Sequence, residues 1–350
     1  MSVLKSVSVL LIFLQTGLVA QSSSTPASAA NAINAAGASS TDTFVQAKRL
    51  SEQGKFDDAV ALLQPLASQN PRPAGLSHEL GATYYKKGDY LKAAGYLKQA
   101  LTENPKDDEA VQLLGLSLYL AGRPSEAIPF LEKVQTWYPR ANVDASYILG
   151  ICYIQSKNYP QARASFAKMF DVKPDSAASY LFTARMLFRQ EFVPVAEEYA
   201  QKAITLDPKL PLANFLLGEI HLFKSNIPEA VADFQRELTI NPGYAAAYYK
   251  LADAYSRVQK YDDAERLLQR SIWLDATSTG PYILMGKVLE KKGEPVLAVR
   301  ALQRAVAMDP NNPITHHLLG QGYRDLGKTD EAEYELKLAE QLQQKQDADQ

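Results

Sequence analysis

The sequence predicts an all-α protein: an α-solenoid of antiparallel helix hairpins stacked one on the next. Three observations predict it. Alanines recur in the phrases FDDA, YLKAA, PSEA, YPQA, VPVA, IPEA, YDDA, PVLA and TDEA, at Ala59, Ala93, Ala127, Ala162, Ala196, Ala230, Ala264, Ala298 and Ala332; every step is 34 residues except one of 35. Prolines (Pro71, Pro105, Pro139, Pro174, Pro208, Pro242, Pro310) and glycines (Gly81, Gly115, Gly150, Gly218, Gly286, Gly320) keep the same beat. Within a period the apolar residues fall at helical spacing, as with Tyr248, Leu251, Ala252 and Tyr255. A unit of this size cannot bury its apolar face alone, so neighbours must stack to form a core.

The elements follow in order along the chain. Residues 1–20 (MSVLKSVSVLLIFLQTGLVA) place Lys5 before an apolar run and small residues after it. The run is shorter than the roughly 20 residues that span a bilayer. It therefore reads as a secretory signal peptide, with an uncleaved membrane anchor as the alternative. No cysteine follows it, so lipoprotein processing is not expected. Residues 21–39 are rich in Ser and Ala and nearly uncharged, the composition of a flexible linker. The repeating array covers residues 40–346 in nine units: 40–73, 74–107, 108–142, 143–176, 177–210, 211–244, 245–278, 279–312 and 313–346. A polar tail, 347–350, closes the chain.

Each unit divides into two helices for local reasons. The first ends at a turn such as Gly54-Lys55, Gly88-Asp89, Gly122-Arg123, Lys157-Asn158 or Gly293-Glu294. Glycine suits the left-handed residue that terminates a helix. The second helix often opens with proline (Pro124, Pro160, Pro194, Pro228, Pro295), whose missing N–H costs nothing in the first turn. Acidic residues such as Glu126, Glu229, Asp262 and Glu331 favour the positive helix start. The endings ENP, LDP, INP and MDP stop the second helix. The small Gly and Ala positions let the two helices approach closely.

This pattern resembles the tetratricopeptide repeat (TPR) family, of exported bacterial type. Residues 245–278 show the fit: Tyr248, Leu251, Ala252, Tyr255, Tyr261 and Ala264 stand where the family has its aromatic, Leu, small, Tyr, aromatic and Ala positions. Ala276 replaces the closing proline there, and Ala47 and Ala184 replace glycine in the first and fifth units. The resemblance implies a right-handed superhelix whose first helices line a concave surface where ligands bind.

Positions 2, 5, 9, 12 and 13 of each first helix form a stripe on that side, which on a plain surface helix should be polar. In the third unit it carries Leu116, Tyr119 and Leu120; in the fourth, Tyr147, Ile151 and Ile154. The fifth contributes Leu181 and Phe188 with the cations Arg185 and Arg189, the sixth Phe215, Leu222 and Phe223. The seventh and eighth units turn polar: Asp253, Ser256 and Arg257, then Lys287, Glu290 and Lys291. One reading is an apolar groove for a peptide or protein segment, continued by a charged stretch. Full burial of one large apolar side chain is worth about 1.5–3 kcal/mol, so three or four anchors support micromolar binding. The other reading is that the stripe packs between adjacent first helices, or is filled by the chain's own N-terminal residues.

Other chemistry finds little material. Basic and acidic residues number 37 and 39, with no basic stripe, so no nucleic-acid partner is expected. A single cysteine, Cys152, rules out an intrachain disulfide and a Cys-rich zinc site. The four histidines include the adjacent pair His316-His317, whose side chains diverge on a helix, so no metal is expected. No cofactor motif or catalytic signature is present. The Lys/Asn clamp of chaperone-tail binders is missing: its places hold Phe44/Lys48, His78/Ala82, Gln112/Leu116 and Tyr147/Ile151. The asparagine ladder of glycosyltransferase arrays is missing too. The expectation is a non-catalytic interaction scaffold, exported to the periplasm or secreted, with no membrane span in the mature chain. The alternative is a carrier or sensor of an apolar small molecule or cell-envelope fragment.

Overall fold

The computed structural model describes residues 40–137 and 143–348. The expected signal segment and linker lie outside the described residues, as do the last two residues of the tail. Among the described residues the chain forms eighteen α-helices, one 3-10 turn (Gln64–Ser68) and no strand. The helices pair as α1 (Ser40–Glu52) with α2 (Phe56–Leu63), α3 (Leu76–Lys87) with α4 (Tyr90–Glu103), and α5 (Asp108–Leu120) with α6 (Pro124–Trp137). Then come α7 (Val143–Gln155) with α8 (Tyr159–Met169), α9 (Ala177–Arg189) with α10 (Val193–Leu206), and α11 (Ala213–Phe223) with α12 (Ile227–Ile240). The last three pairs are α13 (Ala245–Arg257) with α14 (Tyr261–Leu274), α15 (Thr279–Lys291) with α16 (Pro295–Met308), and α17 (Pro313–Asp325) with α18 (Thr329–Ala348). The final helix thus runs through two residues of the segment expected as tail.

Every hairpin turns by the same device. One residue adopts the left-handed conformation, and the next donates its N–H to a carbonyl five residues back, as Asp89 does to Tyr84 at 3.0 Å and Lys260 to Tyr255 at 3.0 Å. In five turns that residue is glycine. In the four central ones it is Lys157, Glu191, Ser225 and Gln259, with φ of +58°, +64°, +62° and +60°. The turn geometry there is set by the packed helices and not by residue preference.

Four of the second helices, α4, α10, α14 and α16, stop through an Asp or Asn side chain. Asp207 accepts the N–H of Lys209 at 3.0 Å, and Asn104 that of Lys106 at 3.2 Å. At the end of α14, where Ala276 stands in place of proline, Asp275 accepts both the N–H of Thr277 at 2.9 Å and its hydroxyl at 2.6 Å. The Asx turn ends that helix unaided.

Within a hairpin the helices nearly touch at a glycine, because the partner residue sixteen positions on fills the space a Cβ would need. A Cβ at Gly150 would lie 2.5 Å from the Phe166 ring. In the fifth unit Ala184 faces Ala200, so a larger residue on one helix is matched by a smaller one on the other; both are fully buried. First helices of neighbouring units also approach one another closely, as α1 does α3, α9 does α11, α11 does α13 and α15 does α17, whereas second helices do not approach each other to the same degree. The stack therefore curves with first helices inside and second helices outside. Its core is continuous from Ala47 on α1 to Ile220 on α11, and then divides into smaller clusters around Phe234, Leu268 and Leu302.

Candidate functional site: the inner face of units three to six

The first helices α5, α7, α9 and α11 carry the apolar stripe expected to line the groove. The structure divides that stripe. Ile151, Ile154, Leu181, Phe215 and Leu222 are buried. Ile151, Ile154 and Leu181 belong to the long core strip, and Phe215 and Leu222 to the cluster around Phe234. Phe215 is enclosed by Phe234 (ring centroids 5.7 Å apart) and by Tyr244 at the entry to α13 (5.0 Å). These five are therefore corrected from groove anchors to packing residues. For Leu181, Phe215 and Leu222 the physical reason is the close approach of α9, α11 and α13, which turns part of the stripe into the seam between units; Ile151 and Ile154 on α7 are absorbed by the long core strip. The packing alternative raised by the sequence holds for them.

What stays accessible is narrower. Leu116, Tyr119, Leu120, Tyr147 and Phe188 are half-buried. Phe223 is 66% exposed, and its ring meets the edge of Phe188 at 5.8 Å in a T-shaped pair that joins units five and six. Arg185 and Arg189 are exposed on α9 beside this pair, and neither makes an ion pair or hydrogen bond among the described residues. The Arg185 charge reaches the Tyr244 phenol: burial, the largest influence, pushes that phenol up, and Arg185 pulls it down. The inner face thus combines an aromatic ridge with two available cations.

Toward α5 and α7 the surface is less polar. Burial, then the neighbouring Cys152 and Tyr147, push the Tyr119 phenol up to about 12. The Cys152 thiol, itself buried, is pushed up to about 12. It is thus a thiol and not a nucleophilic thiolate at neutral pH. Beyond the ridge the face turns polar: Lys250 pairs with Glu219 at 3.4 Å, and Arg257 with Asp253 at 3.0 Å, while Lys287 stays exposed.

Several buried charges escaped the sequence reading. Asp233 is fully buried on α12 and lies 2.6 Å from His221 Nδ1; Nε2 of the same ring is 3.2 Å from Glu197, which also accepts from Lys224 at 2.7 Å. This chain of contacts fastens α10, α11 and α12 together. Glu237, also fully buried, accepts the N–H groups of Leu212 (2.8 Å) and Phe215 (3.3 Å) and so caps α11 from the neighbouring helix. Their signal was weak, because a polar residue on a second helix reads as solvated until its partners on the first helix of the hairpin are placed. His316 bonds Glu335 and the Pro310 carbonyl (2.9 Å), while His317 meets Gln321 at 3.0 Å. Among the described residues no group of three or more His, Cys, Asp or Glu is placed to hold a metal ion, and no helix is long and apolar enough to cross a membrane.

The architecture defines a class: a non-globular α-solenoid of repeated helix hairpins with a concave first-helix face. The chain belongs to the tetratricopeptide repeat family. Two models of that repeat match it, one at residues 44–107, 183–245 and 283–347, the other at 84–140, 118–185 and 224–272. A TPR repeat-containing protein of Methanocaldococcus jannaschii is 26% identical over 133 residues, which is 38% of this chain and 23% of that protein. The crystal structure of MamA superposes with a TM-score of 0.44 and 22% identity over 47% of this chain and 96% of that one. The pilF protein of Pseudomonas aeruginosa gives a TM-score of 0.48 and 20% identity over 61% of this chain and 99% of that one. YrrB, a TPR protein with an unusual peptide-binding site, gives 0.44 and 20% over 53% and 93%. Nothing about this chain's ligands follows from these likenesses.

Proposed function

We propose that this TPR array is a non-catalytic scaffold that binds a peptide or protein segment on the inner face of units three to six. The observation that carries this reading is the Phe188–Phe223 pair, which leaves a large aromatic ring exposed between units with Arg185 and Arg189 beside it. An exposed aromatic anchor next to unpaired arginines is the composition of an interface centre. The half-buried Leu116, Tyr119, Leu120 and Tyr147 extend the surface toward the N-terminal units. The segment that fits is apolar or aromatic with carboxylates nearby. The apolar run at 7–20 supports an exported protein, periplasmic or secreted.

The test is affinity capture from a cell-envelope extract with the full chain as bait and a Phe223→Asp/Arg189→Glu variant as control. Both residues are exposed, so the variant keeps the fold. Proteins retained by the parent and lost by the variant support the reading. Identical captures remove the inner face from it.

A further inference from the structure

A second site lies on the outer side, between α10 and α12 and over the start of α11. There a cavity of about 870 Å3 is walled by Ile204, Leu217 and Ile240, with Asn214, Lys209 and Arg236 at its polar edge. That volume is within the range of ligand pockets.

At this cavity a repeat position that is tyrosine in both flanking units carries asparagine. Asn214 is the fourth residue of its unit. At the same place the flanking units carry Tyr180, Tyr248 and Tyr282, each 34 or 68 residues away. In the next unit the equivalent space is filled: the Arg270 guanidinium lies 5.9 Å from the Tyr248 ring centroid and 4.2 Å from that of Trp273. One unit back, the counterparts of Arg270, Tyr248 and Trp273 are Arg236, Asn214 and Thr239. The cation is kept and both rings are gone. Asp233 holds the Arg236 guanidinium in place.

The polar groups point to a ligand as well. Asn214 is only 3% exposed, yet its side-chain amide makes no hydrogen bond among the described residues. The amide is not sealed from solvent but opens on the cavity, where it presents the donor and acceptor that a peptide bond matches. The Lys209 ammonium has no ion pair among the described residues.

We propose that this cavity receives an aromatic side chain from a partner peptide with an adjacent carboxylate. The ring occupies the place Tyr248 fills one unit on and packs against Arg236, the Asn214 amide bonds the peptide backbone, and Lys209 pairs with the carboxylate. This site is separate from the inner face and does not depend on it.

The test follows the methyl resonances of Ile204, Leu217 and Ile240 in the full chain during titration with acetyl-Glu-Phe-amide. Saturable shifts in the millimolar range are expected, with acetyl-Glu-Ala-amide weaker by about tenfold or more. Asn214→Tyr fills the cavity, so it should raise the melting temperature and abolish the shifts. Thr239→Trp, on the exposed side, should weaken binding without touching the buried position, and it serves if Asn214→Tyr fails to fold. No saturable shift at these methyls overturns the proposal. So do shifts unchanged by both substitutions, or methyl shifts that track protein concentration without peptide, which would assign the cavity to a second copy of the chain.

Discussion

Gly218 on α11 and Phe234 on α12 are in such close contact that a Cβ on the glycine would lie 2.6 Å from the phenylalanine ring. Phe234 is fully buried, so the ring has no space to retreat into. Gly218→Ala should therefore destabilise the array by about 1–3 kcal/mol, the ordinary cost of overpacking. Gly95, exposed on α4 with nothing within 4 Å of where a Cβ would lie, is the control: alanine there should stabilise by up to about 1 kcal/mol through helix propensity. Urea unfolding of both variants checks the sign, and equal effects would contradict the packing argument.

The two fates of the apolar stripe separate cleanly by substitution. Phe215→Asp buries an unpaired charge and removes a ring packed on Phe234 and Tyr244, so it should cost at least about 3 kcal/mol. Phe223→Asp, on the same helix but exposed, loses only the ring pair with Phe188 and should cost about 0.5–1.5 kcal/mol. Circular dichroism against urea distinguishes them. A stable Phe215→Asp variant would return that residue to the groove.

That contrast also marks what the sequence made legible. The 34-residue phase located the hairpins, their turns and the glycines at each helix crossing, because these depend on residues close together in one unit. Proline starts and acidic first turns are equally local. The stripe was harder. Helical spacing tells which residues of α7, α9 and α11 face away from their hairpin partners, but not how near the next first helix comes. The sequence therefore left both a groove and a packed seam open, and the structure buries Ile151, Leu181 and Phe215 in the core. Asp233 and Glu237 were invisible for a related reason: they are buried against α11 of their own hairpin, where His221, Leu212 and Phe215 meet them, and their own helix does not show this. Asn214 could have been found, since Tyr180 and Tyr248 hold the same position in the units on either side.

The left-handed turn residues give a further expectation. Gln259 holds φ of +60° with no glycine to relieve it. Gln259→Gly should stabilise by up to about 1 kcal/mol, as the relief of the Cβ clash outweighs the added chain entropy. An unchanged or lower urea midpoint would contradict it.

Stability should also fall on the acid side through Glu197. Burial pulls this carboxyl upward, but the hydrogen bonds and charges of Lys224 and His221 outweigh it and hold the carboxyl below its ordinary value. A depressed carboxylate contributes stability that is complete above its unfolded-state pKa, about 4.3, and is lost as pH falls through the lower folded value. Urea midpoints taken from neutral pH downward should therefore decline through that window. Glu197→Gln should lower the neutral midpoint and flatten the acid decline; an equally steep decline in that variant would remove Glu197 from the explanation.

The inner-face ridge itself is tested most directly by hydrogen exchange on the full chain with and without a captured partner. Binding there predicts slowed exchange in peptides covering α9 around Arg185–Arg189 and α11 through Phe223, with the α15 stretch at Lys287 unchanged. Protection that spares α9 and α11 would contradict an inner-face docking surface.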